Sequence, residues 1–491
     1  MKVKSLKQTL KKSFAISTVV YFCRECTVNL QGKRNGGCEP VVHASPDAPC
    51  RMRVAVICDE MTWRNCASFF SEIYFLTPWN WKKTLETYHP QLFFCESAWK
   101  GIAEYRCVWR GRIFRNHRVP FEHRKSLLSI LNHCKAAGIP TVFWNKEDPI
   151  YFGDALCDFA DTAMHFDHVF TTAEECVDAY RARGFKNVHV MPFGFSPRMF
   201  HPLGRDPQAR GAVLTGSWFP EHTQRCSDIR RVFEWLKRQQ IPLTIYDRQM
   251  REGGRSSFPA EYQYAVHPAL PYEQMGALYR GYAVGVNINT VKNSRSMFAR
   301  RVYEMMACGL PVVSNASSGL KKRFGNRIAF CEDTNSTVAS FQTAHALLRE
   351  VFLHDTFDMR MYRMLETVGF SNAQSVPAID VICIGGAARA VYEKIDWPAK
   401  RMIAVTDRGE LENAVEAATG SYMIILNDQS SCPDVRFWMT QYAFLPQGCG
   451  VCTSSVSYVM LDAETLEDVI WPAETLREQL RNGTMGRVYH A

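Results

Sequence analysis

The chain has 491 residues, 46% of them hydrophobic and 22% charged, with a formal net charge of +9. A single core rarely grows past about 250–300 residues, so more than one domain is expected, and the balance excludes a disordered, collagen-like or coiled-coil chain. No run of 18 apolar residues occurs, so no spanning helix is expected. The positive charge suits an acidic partner, but the 58 Lys and Arg are scattered, which argues against nucleic acid.

The first dozen residues carry Lys2, Lys4, Lys7, Lys11 and Lys12 ahead of an apolar stretch, Phe14 to Phe22. With no small-residue cleavage site after it, this reads as a basic extension over 1–50 that touches a membrane surface from the cytoplasmic side. The 18 cysteines have irregular spacings, many within apolar segments, as expected in a reducing cytoplasm. The pairs Cys23/Cys26 and Cys449/Cys452 lack partner pairs at zinc-finger spacing, so no metal is assigned.

From Arg53 the chain alternates short β-branched runs with helical patterns. Strands are predicted at 53–58, 91–95, 141–145, 168–171 and 188–191, and helices at 122–137 and 173–183, the helices stopped by Gly138 and Gly184. The Pro-rich segment 191–202 predicts a stiff connection. A second series follows, with strands at 211–215, 241–246, 283–289, 311–314 and 327–331 and helices at 225–239, 272–280 and 298–308. A helical connector is expected over 346–377. A shorter series over 378–450 has strands at 380–384, 402–405 and 422–426, and 451–491 reads as a tail without pattern. Alternating strands and helices imply an α/β fold with parallel sheets, two Rossmann-like domains at 51–195 and 196–345 facing a cleft.

In such sheets ligands sit beyond the carboxyl ends of the strands. The strand at 141–145 runs into Lys146-Glu147-Asp148-Pro149. Pro149 restricts Asp148, so Glu147 and Asp148 are presented as general base, as sugar-hydroxyl ligand, or simply as a cap or loop charge. In the second domain Gly216 and Ser217 follow the first strand, with Arg225 at the start of the next helix, a pattern that admits a phosphate or forms only a turn. Asn289 ends a strand. Ser294 or Ser296 can cap the helix that follows, and with Arg295 its start would form an anion site. Glu304, one or two turns on, would accept hydrogen bonds from a ribose diol or merely pair with Arg300 at i, i+4.

The segment Arg301-Val-Tyr-Glu304-Met-Met-Ala-Cys-Gly309-Leu-Pro-Val-Val-Ser314 resembles the RxFExxACG signature of the spore-maturation-type, CgeB-like glycosyltransferases, which are similar to retaining GT-B enzymes that use nucleotide sugars. Gly216-Ser217-Trp218 with Arg225, the stretch Tyr272 to Asn289, Phe143 to Pro149, and Glu96-Ser97-Ala98-Trp99-Lys100-Gly101 resemble further elements of that family. Together they span about 51–345. The resemblance implies a GT-B glycosyltransferase moving sugar from a nucleotide-sugar donor to a glycan or surface-polymer acceptor, retaining, without cofactor or metal. It implies that Glu304 binds the donor ribose, that Gly216, Ser217 and Arg225 lie near the diphosphate, and that Arg300 or Arg301 offsets leaving-group charge. The donor-binding set so expected is Gly216, Ser217, Arg225, Asn289, Arg295, Ser296, Arg300 and Glu304, and the catalytic set Glu147, Asp148 and Arg301. Where many relatives carry the first glutamate of an E-x7-E pair, this sequence has Ser296.

Residues 414–429 are similar to the metal-binding region of GT-A glycosyltransferases, but Asn427-Asp428-Gln429 offers one carboxylate where a pair is usual. This implies a truncated, inactive GT-A-like remnant. A non-catalytic nucleotide-sugar or glycan-binding protein and a sugar-nucleotide epimerase are the alternative functions.

Overall fold

The computed structural model describes residues 19, 23, 41–46, 48–251, 253–370, 376–452, 458, 460–462 and 466–490. The basic run Lys2 to Lys12 lies outside them. Among the described residues no helix is long and apolar enough to cross a membrane, and most of the described cysteines are buried.

Three sheets organise the chain. The first holds β1 (Val41–Ala44), β2 (Cys50–Ile57), β3 (Phe70–Phe75), β4 (Leu92–Glu96), β5 (Thr141–Asn145), β6 (His168–Thr171) and β7 (Val188–Val190) in the order β1-β3-β2-β4-β5-β6-β7. All neighbours are parallel except β1, which runs antiparallel on β3. β4 and β5 are buried on both faces, as their continuous apolar runs require in a covered parallel sheet. The chain steps from β2 outward to β3, then back across to β4. The order in which strands are added therefore reverses between β2 and β4, and a ligand crevice opens beyond their carboxyl ends.

The second sheet is wholly parallel: β8 (Ala212–Gly216), β9 (Leu243–Asp247), β10 (Val266–Pro268), β11 (Val284–Asn287), β12 (Val312–Ser314) and β13 (Ala329–Phe330), ordered β10-β9-β8-β11-β12-β13. This is the doubly wound Rossmann order, with its switch point between β8 and β11. The fold is GT-B: two Rossmann-like domains whose switch points face one cleft. Two crossings between the domains run side by side, since Phe195 N–H donates to Asp355 O at 3.3 Å and Phe357 N–H to Phe195 O at 2.7 Å. Helix Phe357–Val368 then packs Phe357, Met361, Met364 and Leu365 into the first domain's core.

The third sheet joins β14 (Ile379–Ile384), β15 (Lys400–Val405), β16 (Tyr422–Leu426), β17 (Gly450–Cys452), β18 (Met460–Asp462), β19 (Val469–Pro472) and β20 (Arg487–His490) in the order β15-β14-β16-β19-β17-β20-β18. Residues 451–490 are thus no tail; their strands are only three or four residues long, too short to show a period in sequence, yet they complete this sheet. Its core is continuous with that of the second domain, through helix Phe341–His354 and Phe437 and Trp438 of helix Val435–Gln441.

The helix expected at 298–308 is shorter, Arg301–Ala307. Side chains hold the preceding residues out of it: Ser294 Oγ accepts from Met297 N–H at 3.0 Å, and Asn289 Oδ1 from Ala299 N–H at 3.1 Å. No side chain caps the helix itself.

Candidate active site

The two switch points bound a cleft of about 460 Å³, lined from the first domain by Met61, Lys146 and Glu147 and from the second by Thr215, Tyr246, Arg248, Tyr272, Arg300, Arg301 and Glu304, among others. Its two walls differ in kind.

On the second-domain wall, positive charge gathers at the end of β8. Arg301 lies against Gly216 so closely that a Cβ there would sit 3.2 Å from Arg301 Nη1 and 3.8 Å from Arg225 Nη2. A side chain at 216 would crowd the Arg301 guanidinium and pack against that of Arg225, so glycine leaves room for both at this turn. Arg225 is buried, and its Nη1, Arg301 Nη1 and the hydroxyl of Ser217 are all shielded from solvent without a hydrogen-bond partner among the described residues. Arg248, at the end of β9, adds a third cation on this wall. Burial pushes the Arg301 guanidinium down to about 10, and Arg248 and Arg225 add repulsion. Burial likewise lowers that of Arg225. Buried donors are nearly always satisfied in folded proteins. A cluster of unmatched ones at a Rossmann switch point is a place for an anion with several acceptor oxygens.

Beside it, Glu304 is 4% exposed. Its Oε1 accepts from Tyr272 Oη at 2.9 Å and from Arg300 Nε at 2.9 Å, while the Arg300 guanidinium lies 5.4 Å from the centre of the Tyr272 ring. Oε2 accepts no hydrogen bond among the described residues. The i, i+4 pair and a ligand-facing oxygen therefore coexist in one carboxylate. Arg300 also reaches across the cleft, its Nη2 3.0 Å from Met61 Sδ.

The first-domain wall is built on an ion cluster at the β2/β4 switch point. Lys146 Nζ lies 3.1 Å from Glu96 Oε1 and 3.6 Å from Asp59 Oδ2. Glu96 is fully buried and also accepts from Thr62 Oγ1 and Asp59 N–H. Asp59 accepts from the backbone N–H groups of Trp99, Lys100 and Gly101 at 2.9, 3.1 and 2.7 Å. Lys146 thereby anchors the loop that carries Glu147. Burial raises the Glu147 carboxyl above its ordinary range, against the pull of the Lys146 ammonium.

The structure separates the expected carboxylate pair. Glu147 lines the cleft. Asp148 does not: it is fully buried, accepting from Asn145 Nδ2 at 2.8 Å and Thr171 Oγ1 at 2.7 Å. Its position contradicts a catalytic role, because its hydrogen bonds turn it into the domain. Burial pushes its carboxyl up to about 7 despite the hydrogen bonds from Thr171 and Tyr180. An acid raised in the folded state stabilises while protonated, and that contribution fades as pH climbs from about 4, its unfolded value, towards 7. Asp148→Asn is therefore expected to flatten the fall in melting temperature between pH 5 and pH 8. Parallel profiles for variant and wild type would contradict this.

Three expected donor ligands also lie elsewhere. Ser296 Oγ donates to Thr172 O at 3.0 Å and accepts from Glu174 N–H at 2.8 Å, so it ties the domains together. Arg295 is exposed, and its N–H meets Glu175 Oε2 at 3.2 Å. Asn289 is buried, its amide 3.3 Å from Ser314 Oγ and its Oδ1 holding Ala299 N–H. All three shape the loop before Arg301 and none lines the cleft. Sequence reasoning passed over Arg248, Tyr272 and Met61. Arg248 had a signal, as the residue directly after a strand-end aspartate; the other two meet the site only through tertiary packing.

In the third unit Asp428 Oδ1 accepts from Ala387 N–H at 2.8 Å and Ala388 N–H at 3.3 Å, at the start of helix Gly386–Lys394. No group of three or more His, Cys, Asp or Glu suited to a metal ion occurs among the described residues.

Residues 220–355 match the family model described as glycosyl transferase-like. No curated protein matches the chain. Among solved structures, the chain is similar to an alpha-glucosyltransferase in complex with UDP-glucose and DNA containing an abasic site (9% identity, TM-score 0.45, covering 65% of this chain and 99% of that one). It is also similar to the lipopolysaccharide outer core galactosyltransferase WaaB in its apo form (11%, TM-score 0.36, 65% and 99%) and to a glycosyltransferase from Rickettsia africae (10%, TM-score 0.39, 66% and 99%). The glycosyl transferase-like segment therefore forms most of the second wall of the cleft between the two Rossmann-like domains.

Proposed function

We propose that the chain transfers a sugar from a nucleoside-diphosphate donor, held on the second domain, to a hydroxyl of a glycan or surface polymer entering over the first. The observation that carries this is the set of buried, unmatched donors of Arg225, Arg301 and Ser217 around Gly216. A diphosphate supplies the acceptor oxygens these donors lack, and the same groups offset the charge that builds on it as the glycosidic bond breaks. Because three arginines provide that charge, the reaction needs no metal in this reading. Glu304 takes a ribose hydroxyl on Oε2. Glu147, the one carboxylate of the first domain lining the cleft among the described residues, orients the acceptor hydroxyl and polarises its O–H bond. Burial raises its carboxyl above the ordinary range, which makes it a stronger proton acceptor than an exposed glutamate. The sequence resemblance to CgeB-like enzymes supports a retaining outcome and a surface or capsular glycan acceptor. The resemblance of 414–429 to GT-A enzymes supports reading the third unit as an inactive relic, its single carboxylate used as a helix cap. Cysteines buried in apolar surroundings, such as Cys58, Cys95, Cys308 and Cys383, support a cytoplasmic setting, with the basic N-terminal residues meeting an anionic membrane surface.

Glu304→Ala tests the donor site. It is expected to weaken binding of the preferred nucleoside diphosphate by about 1–3 kcal/mol, the scale of hydrogen bonds to a charged group. Calorimetric titration of UDP, GDP and ADP into wild type and variant reads this directly. Unchanged affinity in a variant that melts normally would remove Glu304 from the site.

A further inference from the structure

Among the segments around the cleft, the loop after β4 stands apart in charge. Residues 97–125 hold eight Lys and Arg against two Glu, a net +6 within a chain of net +9. Part of this charge is internal. Arg124 is buried between Glu122 and Asp161, and Arg115 bonds to the Phe121 and Val119 carbonyls. Lys100, Arg106 and Arg110 are different: all three are exposed and none makes an ion pair among the described residues. Glu104 is exposed in the same loop.

The loop is pinned over the carboxyl ends of the first sheet. Lys100 and Gly101 N–H bind Asp59, two residues past the end of β2. Tyr105 stacks on Phe75, the last residue of β3, with ring centres 5.4 Å apart, and Trp109 Nε1 donates to Leu76 O at 2.7 Å. Trp109 N–H donates to Lys100 O at 3.1 Å, which folds the loop back on itself. The three cations thus sit on the side of the sheet where Met61, Lys146 and Glu147 line the cleft.

We propose that this loop is the acceptor-recognition surface and that the acceptor is an anionic glycan, one carrying carboxylate or phosphate groups along its chain. The proposal rests on the glycosyltransferase reading above and names its acceptor class. Unpaired cations at the entry of a cleft raise the local concentration of a polyanion and fix its register. A nucleic acid fits less well, because single-stranded bases need open aromatic faces. Tyr105 has one face against Phe75, and Trp99 meets Tyr151 and Phe159 edge-on and Phe114 at a tilt.

The test is binding of the full chain, without donor, to a polygalacturonate oligosaccharide, a phosphodiester-linked mannan oligosaccharide, a neutral malto-oligosaccharide of equal length and a 20-base-pair DNA. One of the two charged glycans is expected to bind at least about tenfold more tightly than the neutral one. Its affinity should fall roughly 10–20-fold between 50 and 200 mM salt, as for about three released counterions. Which glycan binds tells carboxylate from phosphate recognition. The triple variant Lys100→Gln, Arg106→Gln, Arg110→Gln should lose this preference while melting and binding nucleoside diphosphate as wild type does. Equal binding of charged and neutral glycans, tighter binding of DNA, or a variant that keeps the preference would overturn the proposal. If nucleotide binds but neither charged glycan does, the acceptor assignment fails and the donor site stands; if no nucleotide binds, the underlying reading fails as well.

Discussion

Arg301→Met is expected to make the unliganded protein more stable and the donor site nearly blind. In the structure Arg301 Nη1 is buried without a partner, and burial and two neighbouring arginines lower its guanidinium to about 10. Removing an unsatisfied buried donor relieves about 1–3 kcal/mol of desolvation. The same change deletes charge-assisted hydrogen bonds to the diphosphate, each worth about 1.5–3 kcal/mol. The melting temperature without ligand should therefore rise by several degrees, while saturating nucleoside diphosphate, which stabilises the wild type by mass action, should shift the variant little. A structural arginine would behave oppositely: its loss would lower the melting temperature and leave the ligand shift intact.

The second large effect is expected at Lys146. Its ammonium is the cation that both Glu96 and Asp59 face. Lys146→Met leaves two carboxylates close together, one of them fully buried, and breaking a buried pair costs about 3–5 kcal/mol. The loss has a definite pH sign. Burial raises the Glu96 carboxyl even with Lys146 present, because desolvation outweighs the ammonium's pull and Asp59 adds repulsion. Without Lys146 it rises further. An acid raised in the folded state favours folding while protonated, so the variant should be closest to wild type near pH 5 and fall away as pH rises through 7. Adding Glu96→Gln to Lys146→Met should recover much of the stability, since it removes the orphaned charge. Urea unfolding at pH 5, 6, 7 and 8 reads all of this. A pH-independent deficit would mean that Lys146 acts through packing alone.

The parts of this molecule legible in its sequence are those where one local rule dominates. β5 is a continuous apolar run, buried on both faces, ending where Lys146 and Glu147 begin. Gly216, Ser217 and Arg225 could be read because a strand, a glycine turn and a helix follow in order. Glu147 and Asp148 show where local reading stops. They are adjacent carboxylates of the same chemistry, and what turns one to the cleft and the other inward is Thr171 and Asn145, on β6 and β5. Ser296 looked like a helix cap beside an anion site, yet its hydroxyl bonds to Thr172, 124 residues away. No sequence window contains that contact. β17 to β20 were invisible for another reason: strands of three or four residues gain their stability from sheet neighbours rather than from a pattern of their own.

The central claim is that a nucleoside diphosphate lies between the end of β8 and the helix carrying Glu304. A crystal structure with whichever of UDP, GDP or ADP gives the largest thermal shift tests it most directly. The account predicts phosphate oxygens within hydrogen-bond reach of Arg225, Arg301 and Ser217, and the ribose at Glu304 Oε2. A nucleotide bound in the third unit, or in the cleft with those three donors still unmatched, would contradict it.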